Sequence, residues 1–376
     1  MIKYWDYKSE YKFLKKKILH KINKVFESGT LLFGKELKIF EKNFCKYNNS
    51  KYGVGVGNGT DALYIALKSL NIGNGDEVIT VSNTAIPTVS AIKNTGAKVR
   101  FVDIGNDYLI DTKKIPSFIN SKTKAIVVVH LFGQICDMDM ILSISKKFNL
   151  KVIEDCAQSC GALYKGKKAG SIGDVGCFSF YPTKILGAYG DGGFITTNNK
   201  KLYEKMNRFR FYGIETLNKN QRWNKKYYSI DHGINSRLSE VQAAILNLKL
   251  KYINSFIRKR RLIAKKYYLG LKGLNIKMPI INNKNFHVFH IFPIRHPKRD
   301  IILKKMRLKN INLGIHYPFP IHSMKAYKDY VCNRCDCLPN TELSAKTIFS
   351  LPIYPDVRNY EVKSVIKNLR NIIKNL

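Results

Sequence analysis

The sequence has no apolar run that approaches the roughly 18 residues needed for a membrane-spanning helix. The best candidate, residues 125–129, is followed at once by His130 and soon after by Gln134. Residues 1–6 contain no apolar stretch of the kind found in a signal peptide. We therefore expect a cytoplasmic protein without a membrane span.

Cysteine is too sparse for a disulfide framework, because only 8 of the 376 residues are Cys. Three of them, Cys332, Cys335 and Cys337, cluster near Pro339. Zinc sites usually need four ligands, and no fourth ligand stands at a suitable spacing. We predict reduced thiols in a loop and no metal, with a metal site as the alternative.

Acidic residues are scarce as well: 27 stand against 65 basic residues, which gives a net charge of +38. Such a field attracts nucleic acid, anionic membranes or phosphate-bearing substrates. The lysines are spread along the chain beside many Asn and Ile, a pattern also typical of A-rich and T-rich codons. No DNA- or RNA-binding motif accompanies the charge, so we predict no specific nucleic-acid partner and keep a polyanion binder as an alternative. The basic runs at residues 15–17 and 258–261 are interpreted as solvated helix faces.

What the sequence does contain, from about residue 50 to 200, is an alternation of short apolar runs and helical stretches. The runs are rich in Val, Ile and Phe, as buried strands are, and lie at residues 78–81, 99–102, 125–129, 152–153, 177–180 and 194–196. This pattern predicts an α/β fold with a mostly parallel central sheet. Ligands gather beyond the carboxyl ends of such strands, which draws attention to Asp103, His130, Asp155 and the segment after Phe180.

The pattern changes near residue 240, where a capping box at Ser239 and Gln242 precedes a helical apolar face. Prolines punctuate the mixed segments that follow. We predict a large α/β domain over residues 1–250, including an N-terminal segment, and a smaller α+β domain over residues 251–376.

A glycine-rich turn at residues 57–60 follows a short strand and opens a helix. Free backbone N–H groups and the helix dipole at such a turn favour an anion, and Thr60 adds a hydroxyl beside Gly59. No Gly-Lys-Ser/Thr follows, so this is not a nucleotide-binding Walker motif. It is either a phosphate cradle or only a tight turn.

An acid and an amide follow the strand around residues 152–153. Asp155 can hold a pyridine nitrogen protonated, as pyridoxal phosphate (PLP) enzymes require, and Gln158 can hydrogen-bond the ring hydroxyl. The alternative is that Asp155 only caps the next helix.

A third element joins Ser179 to Lys184 through a turn at Pro182, and glycines follow at positions 187, 190, 192 and 193. A partly desolvated lysine beside a cofactor becomes a nucleophile for a carbonyl. Asn235, a polar donor just before a helix start, is the fourth element, with loop capping as its alternative role. Each element is ambiguous alone, but together and in this order they predict a PLP site.

These segments resemble the DegT/DnrJ/EryC1/StrS family of sugar aminotransferases, and the resemblance covers nearly the whole chain. It extends to residues 27–29 with Gly34, and to residues 129–134, 314–318 and 351–355. The resemblance implies a PLP-dependent transferase of fold type I, similar to aspartate aminotransferase. It also implies a homodimer whose two active sites are shared between subunits.

By the same resemblance, Lys184 is the Schiff-base lysine, Asp155 the pyridinium partner and Gln158 the partner of the ring hydroxyl. The phosphate is assigned to Gly59, Thr60 and Ser179, and Asn235 reaches the phosphate of the neighbouring subunit's cofactor. His316 and Tyr317 line the substrate side. The sequence departs from the family at Ala85, Cys160 and Ile185, where an aromatic residue, His and Asn are common.

The resemblance implies amino transfer, with glutamate as donor, to a keto-deoxysugar linked to a nucleoside diphosphate. A 3-keto-6-deoxyhexose is the favoured form, for surface polysaccharide or glycoconjugate synthesis. The alternatives are a 4-keto-sugar aminotransferase and a PLP-dependent sugar dehydratase, although dehydratase relatives typically replace the lysine with histidine.

Overall fold

The computed structural model describes residues 1–214, 228–330 and 338–376. Cys332, Cys335 and Cys337, the predicted thiol loop, lie outside the described residues. The helices are α1 (Lys8–Glu27), α2 (Lys35–Asn48), α3 (Gly59–Ser69), α4 (Ile86–Asn94), α5 (Met138–Phe148), α6 (Lys200–Phe209), α7 (Glu240–Leu250), α8 (Ile253–Leu271), α9 (Arg299–Leu308), α10 (Pro339–Thr347) and α11 (Asn359–Lys374). The strands are β1 (Tyr52–Val56), β2 (Glu77–Val81), β3 (Lys98–Val102), β4 (Thr123–Val129), β5 (Lys151–Asp155), β6 (Leu163–Tyr164), β7 (Lys167–Lys168), β8 (Val175–Ser179), β9 (Gly193–Thr197), β10 (Asn285–Phe286), β11 (Phe292–Arg295) and β12 (Ile348–Leu351).

Seven of the described strands form one sheet in the order β1-β9-β8-β5-β4-β2-β3. The pairs from β3 through to β8 are parallel, and helices α4 and α5 provide the crossovers between the parallel neighbours β2 and β3 and between β4 and β5. The strand β9 runs antiparallel to both β1 and β8. Only residues 180–192, which contain no helix, separate β8 from β9, so the chain returns antiparallel. The predicted mostly parallel α/β sheet is confirmed.

The sheet buries both faces, as the continuous apolar runs of its strands require. Along β4, Val127 and Val128 point to opposite sides and join different core clusters. Along β5, Ile153 and Val152 do the same. This alternation follows from the two-residue period of a strand, and burying each such side chain contributes about 1.5–3 kcal/mol.

The C-terminal part packs α8, α9 and α11 around the antiparallel pair β11–β12. Its core contains Tyr267, Phe292 and Leu369, all buried. The N-terminal Ile2 pairs with Ile311 of this part. The boundary predicted after residue 250 falls between α7 and α8, and the division into two domains there stays a prediction.

The two basic runs differ in their surroundings. Residues 15–17 are exposed on α1, as predicted. The prediction for residues 258–261 is wrong in part, because Arg260 is buried and donates to the carbonyls of Phe289, His290 and Ile353. Arg261 is half-buried and donates to the His287 carbonyl. A helix face that seems solvated in sequence is covered here by a distant segment of the chain.

Within the three described ranges, none of the helices has the length and apolar character to span a bilayer.

Candidate active site

A cavity of about 220 Å³ lies beyond the carboxyl ends of β4, β5 and β8. Such an edge of a parallel sheet is where ligands bind in α/β proteins. Six of the predicted cofactor positions line this cavity: Gly59, Thr60, Asp155, Gln158, Ser179 and Lys184. Segments far apart in sequence are therefore brought together by the sheet.

The phosphate turn lies at the N-terminus of α3. The side chain of Asn58 caps this helix by accepting a hydrogen bond from Asp61 N at 2.8 Å. A Cβ atom placed on Gly59 would lie 2.7 Å from Ser179 Cβ, so only glycine permits this close approach. Unpaired N–H groups of the first helical turn thus lie beside the Ser179 hydroxyl, an arrangement that suits a phosphate.

Asp155 is almost completely buried at the end of β5. Its carboxylate accepts from the Thr88 hydroxyl at 2.8 Å and from Ala157 N at 3.1 Å. Because Thr88 donates to Asp155, its oxygen accepts from the Thr84 hydroxyl at 2.9 Å. No helix begins within the described residues 156–162, so the capping alternative for Asp155 is wrong.

Gln158 is held at both ends of its amide. Its Oε1 accepts from Phe132 N at 2.8 Å, and its Nε2 donates to the Tyr317 hydroxyl at 2.9 Å. One N–H of Gln158 is left over, because the amide nitrogen carries two hydrogens. That N–H is available to a ring hydroxyl, and the predicted role of Gln158 stays a prediction.

Lys184 lies in the turn that follows β8. Its backbone N–H donates to the Tyr181 carbonyl at 2.8 Å, which closes the turn. The side chain is half-buried and lines the cavity rather than the outer surface. Burial lowers the pKa of Lys184 to about 8, and the nearby Asp155 carboxylate opposes the shift. A lysine with this pKa is partly unprotonated near neutral pH and can act as a nucleophile or base.

Helix α7 holds the loop that carries Lys184. Gln242 accepts from Tyr189 N at 2.8 Å and donates to the Tyr189 carbonyl at 3.1 Å. Seven residues further along α7, Lys249 donates to the Gly187 carbonyl and forms an ion pair with Glu10 at 2.5 Å. Lys249 could not be singled out from the sequence, because nothing local distinguishes a buried lysine from the many exposed ones.

His316 and Tyr317 are not among the described residues that line the cavity, but they lie next to it. Tyr317 bonds to Gln158, and burial together with the Asp155 charge raises the pKa of Tyr317. The Nδ1 atom of His316 lies 3.1 Å from the Ser350 hydroxyl, and the Tyr4 ring stacks on the imidazole at 5.3 Å. Burial and the positive charge of Lys184 lower the pKa of His316 to about 4. His316 is therefore neutral at physiological pH.

Asn235 does not enter the cavity of its own chain. Its side chain is exposed, and its backbone forms a bridge with Phe211. The next residue, Ser236, is buried and donates to Asp61 at 2.6 Å while accepting from Gly57 N at 2.9 Å. Asn235 is thus attached to the phosphate turn but faces outward.

Two other residues at the ends of apolar runs were expected at the site, and this expectation is wrong. Asp103 accepts from the backbone of Asn340 and Thr341, and so anchors the start of α10. His130 is fully buried; its Nδ1 accepts from Cys136 N, so its Nε2 donates to Glu154 at 2.9 Å. Both residues stabilise the scaffold and do not line the cavity.

One of the three residues where the sequence departs from the family lies at the cavity. Ala85 lines the cavity at the start of α4, and Leu131 and Pro87 also line it. Cys160 and Ile185 are buried. Aliphatic side chains therefore surround the position where an aromatic ring is common.

This set of donors fits PLP. The α3 turn with Ser179 suits the phosphate, the buried Asp155 carboxylate suits a ring nitrogen, and half-buried Lys184 suits the aldehyde carbon. The Gly59–Ser179 approach leaves no room for a larger residue, as expected where backbone must contact a phosphate.

Residues 12–370 match the sequence family described as the DegT/DnrJ/EryC1/StrS aminotransferase family. The chain is 42% identical over 99% of both sequences to dTDP-3-amino-3,4,6-trideoxy-alpha-D-glucose transaminase of Micromonospora megalomicea subsp. nigra. It is 44% identical over 94% of both to dTDP-3-amino-3,6-dideoxy-alpha-D-galactopyranose transaminase of Aneurinibacillus thermoaerophilus.

Solved structures agree with these relatives. S. venezuelae DesV, in complex with a ketimine intermediate, superposes with a TM-score of 0.94 at 35% identity, covering 100% of this chain and 99% of its own. NtdA from Bacillus subtilis, with bound cofactor PMP, superposes with a TM-score of 0.86 at 32% identity, covering 96% and 82%. The chain therefore belongs to the DegT/DnrJ/EryC1/StrS aminotransferase family and is a PLP-dependent aminotransferase.

Proposed function

We propose that this enzyme transfers an amino group from glutamate to a keto-deoxysugar linked to a nucleoside diphosphate. A 3-keto-6-deoxyhexose is the favoured acceptor, and the product serves surface polysaccharide or glycoconjugate synthesis in the cytoplasm. The proposal rests on one observation: Lys184 lines the same cavity as Asp155, Gly59 and Ser179. The two transaminases quoted above, both named for dTDP-3-amino sugars, support the 3-keto form.

In this proposal each cavity residue has one role toward the cofactor. Bound PLP supplies an electron sink for the carbanion that forms when the donor loses its α proton. Asp155, oriented by Thr88, keeps the ring nitrogen protonated. Gly59, Thr60 and Ser179 bind the phosphate, and the free N–H of Gln158 holds the ring hydroxyl.

Lys184 moves the proton. Its lowered pKa leaves a useful fraction of free amine near pH 7–8, so it can accept the α proton of the donor and return a proton to the cofactor. Lys184 rather than histidine at this position favours amino transfer over dehydration, and the quoted relatives are named for transamination.

The substrate side is assigned to His316 and Tyr317. Tyr317 accepts from Gln158, so its own O–H is free to donate toward the sugar. His316 stays neutral at physiological pH, and Ser350 and Tyr4 orient its ring. Neutral donors of this kind can recognise sugar hydroxyls without repelling a cationic donor amine.

The same proposal includes a homodimer in which Asn235 of each subunit serves the active site of the other. Asn235 is exposed while its neighbour Ser236 is fixed to the phosphate turn, which is a suitable arrangement for reaching the partner's cofactor phosphate. A mixed dimer of Lys184→Ala and Asn235→Ala subunits tests it. If Asn235 serves the partner's site, one intact site is restored and about half of the activity returns. If Asn235 serves its own site, no activity returns.

The overall proposal is tested with purified protein, glutamate and a panel of 3-keto and 4-keto sugars linked to dTDP or UDP. We expect visible absorbance from bound PLP and a 3-amino product identified by NMR. Lys184→Ala should abolish both the visible band and the product, whereas Lys200→Ala, an exposed lysine, should change neither. An unaffected Lys184→Ala variant or a 4-amino product would contradict the respective part of the proposal.

A further inference from the structure

A second cavity is larger than the active-site cavity and is lined by other residues. It has a volume of about 900 Å³ and runs between α8 and the β6–β7 hairpin. We call it the α8 groove. Its charged lining residues are Lys168 of the hairpin and Arg258, Arg261 and Lys265 of α8. None of its described lining residues also lines the active-site cavity.

The lining of the α8 groove is positively charged. None of its described lining residues is Asp or Glu. Lys168 donates to the Tyr47 carbonyl, and Arg261 donates to the His287 carbonyl at 2.7 Å. Burial lowers the pKa of both Lys168 and Arg261. Neutral carbonyls do not cancel these charges, so an anion entering the groove would be attracted and would relieve the cost of burying them.

Other cations on α8 have partners outside the groove. Lys259 forms an ion pair with Asp356 at 3.2 Å. Arg260 is buried and donates to three backbone carbonyls. The α8 cations that line the groove, Arg258, Arg261 and Lys265, form no ion pair with an acid among the described residues.

The remaining lining of the groove is apolar and aromatic. Arg261 lies over the Phe286 ring at 4.0 Å. Leu262 and Leu269, one heptad apart on α8, are 55% and 66% exposed, which is unusual for two apolar residues on one helix face. A ligand that matches this groove carries both a negative charge and an apolar portion.

We propose that the α8 groove binds an organic phosphate whose anionic group contacts Lys168 and the α8 cations Arg258, Arg261 and Lys265. The apolar portion of the ligand then lies on Phe286, Leu262 and Leu269. Phosphate is favoured over a lone carboxylate because several cations surround the groove and arginine binds phosphate oxygens in a bidentate manner. Two sources share this chemistry: a free nucleotide and a long-chain alkyl phosphate of the lipid type.

The test is isothermal titration calorimetry on the full-length, PLP-loaded protein with dTDP, decyl phosphate and inorganic phosphate as separate probes. We expect one organic probe to bind with a Kd that rises at least tenfold in the Arg258→Ala/Lys265→Ala variant. Both residues are exposed, so this variant keeps the fold. Arg261→Ala should weaken binding similarly, whereas Lys259→Ala removes the same charge outside the groove and should change Kd less than twofold.

The three probes distinguish a nucleotide from a lipid phosphate, and they also show when the proposal fails. A response confined to dTDP supports a nucleotide, and one confined to decyl phosphate supports a lipid phosphate. Inorganic phosphate that binds as tightly as both organic probes overturns the apolar part of the proposal. Binding of neither organic probe, or binding equally strong in the groove variants and in Lys259→Ala, overturns the site. None of these outcomes depends on which sugar the enzyme aminates.

Discussion

Gln158 Nε2 donates a hydrogen bond to the Tyr317 hydroxyl at 2.9 Å, which joins the turn after β5 to the segment at residues 316–317. The other end of the same amide accepts from Phe132 N, so the orientation of Gln158 is determined by its neighbours. Burial raises the pKa of Tyr317, and the hydroxyl therefore stays protonated across the physiological range. Its proton is left to donate elsewhere, because its oxygen already accepts from Gln158.

The first prediction concerns that proton. Tyr317→Phe should fold and bind PLP, because Gln158 keeps its bond to Phe132. The KM for the keto-sugar should rise about tenfold, which corresponds to the loss of one hydrogen bond of roughly 1–1.5 kcal/mol. Single-turnover measurements should show the glutamate half-reaction little changed. Tyr360→Phe, an exposed tyrosine on α11, is the control. An equal loss in both half-reactions would assign Tyr317 to the cofactor rather than to the sugar.

The second prediction concerns the pair of hydroxyls behind Asp155. Thr88→Val removes a donor to the buried carboxylate while keeping the shape of the side chain. A hydrogen bond to a charged group contributes about 1.5–3 kcal/mol, so we expect kcat to fall at least tenfold in steady-state assays. Thr88→Ser retains the hydroxyl and should keep most of the activity. Equal activity of the Val and Ser variants would show that Thr88 does not orient Asp155.

The third prediction is a pH dependence. Only the unprotonated amine of Lys184 can attack the PLP aldehyde. Because the pKa of Lys184 is lowered to about 8, the rate of PLP capture by the cofactor-free protein should rise about tenfold per pH unit below 8 and level off above it. Stopped-flow measurement of the visible band provides the rate. Asp155→Asn removes the charge that opposes the shift, so its midpoint should lie lower; a midpoint near 10.5 in the unaltered protein would contradict the prediction.

The convergence of the cavity residues could be predicted from sequence for a geometric reason. Asp155 and Ser179 end neighbouring parallel strands, and the carboxyl ends of such strands meet at one edge. Residues 138–148 form α5, and their apolar spacing, sustained over three turns, is typical of a helix. Asp103 and His130 also end strands of the sheet, yet they bind the scaffold. A position at the end of a strand thus indicates that a residue is near this edge of the sheet, but not whether its side chain lines the cavity.

Other features could not be predicted because they depend on distant segments. The antiparallel direction of β9 follows from the short connection after β8, and apolar runs carry no direction. Arg260 and Lys249 look like ordinary basic helix residues, but the segments that bury them are about 30 and 240 positions away in sequence. No local pattern reports such a contact. The same reason explains why Tyr4 was not expected beside His316.

Lys249 and Glu10 form the most unusual of these distant contacts. The Lys249 side chain is 2% exposed and the Glu10 side chain 17% exposed, and their charged atoms lie 2.5 Å apart. Lys249 also donates to the Gly187 carbonyl in the loop that carries Lys184. Burial lowers the pKa of Lys249, and the Glu10 carboxylate opposes that shift. The pair therefore connects α1 and α7 to the position of Lys184.

The fourth prediction is that the two halves of this pair are not equivalent. Glu10→Gln leaves a buried cation without its anion and should destabilise the fold by about 3 kcal/mol, whereas Lys249→Met leaves a carboxylate that water can reach and should cost less. The double variant should recover stability relative to Glu10→Gln, which a double-mutant cycle of urea denaturation measures. Lys251 is exposed and directly follows α7, so Lys251→Met should change stability by no more than about 0.5 kcal/mol.

The pH dependence of stability tests whether the unpaired charge of Lys249 causes the loss in Glu10→Gln. A lysine whose folded pKa lies below its unfolded pKa binds fewer protons in the folded state, so the stability lost at neutral pH returns as pH rises through the interval between the two values. The deficit of Glu10→Gln should therefore shrink between neutral pH and about pH 10, where free lysine titrates. A deficit that stays constant over this range, or an equal deficit in Lys249→Met, would mean that lost packing rather than an uncompensated charge explains the effect.

Because Gly187 is held by Lys249, the same variants should also slow PLP capture by Lys184, and Lys251→Met should not.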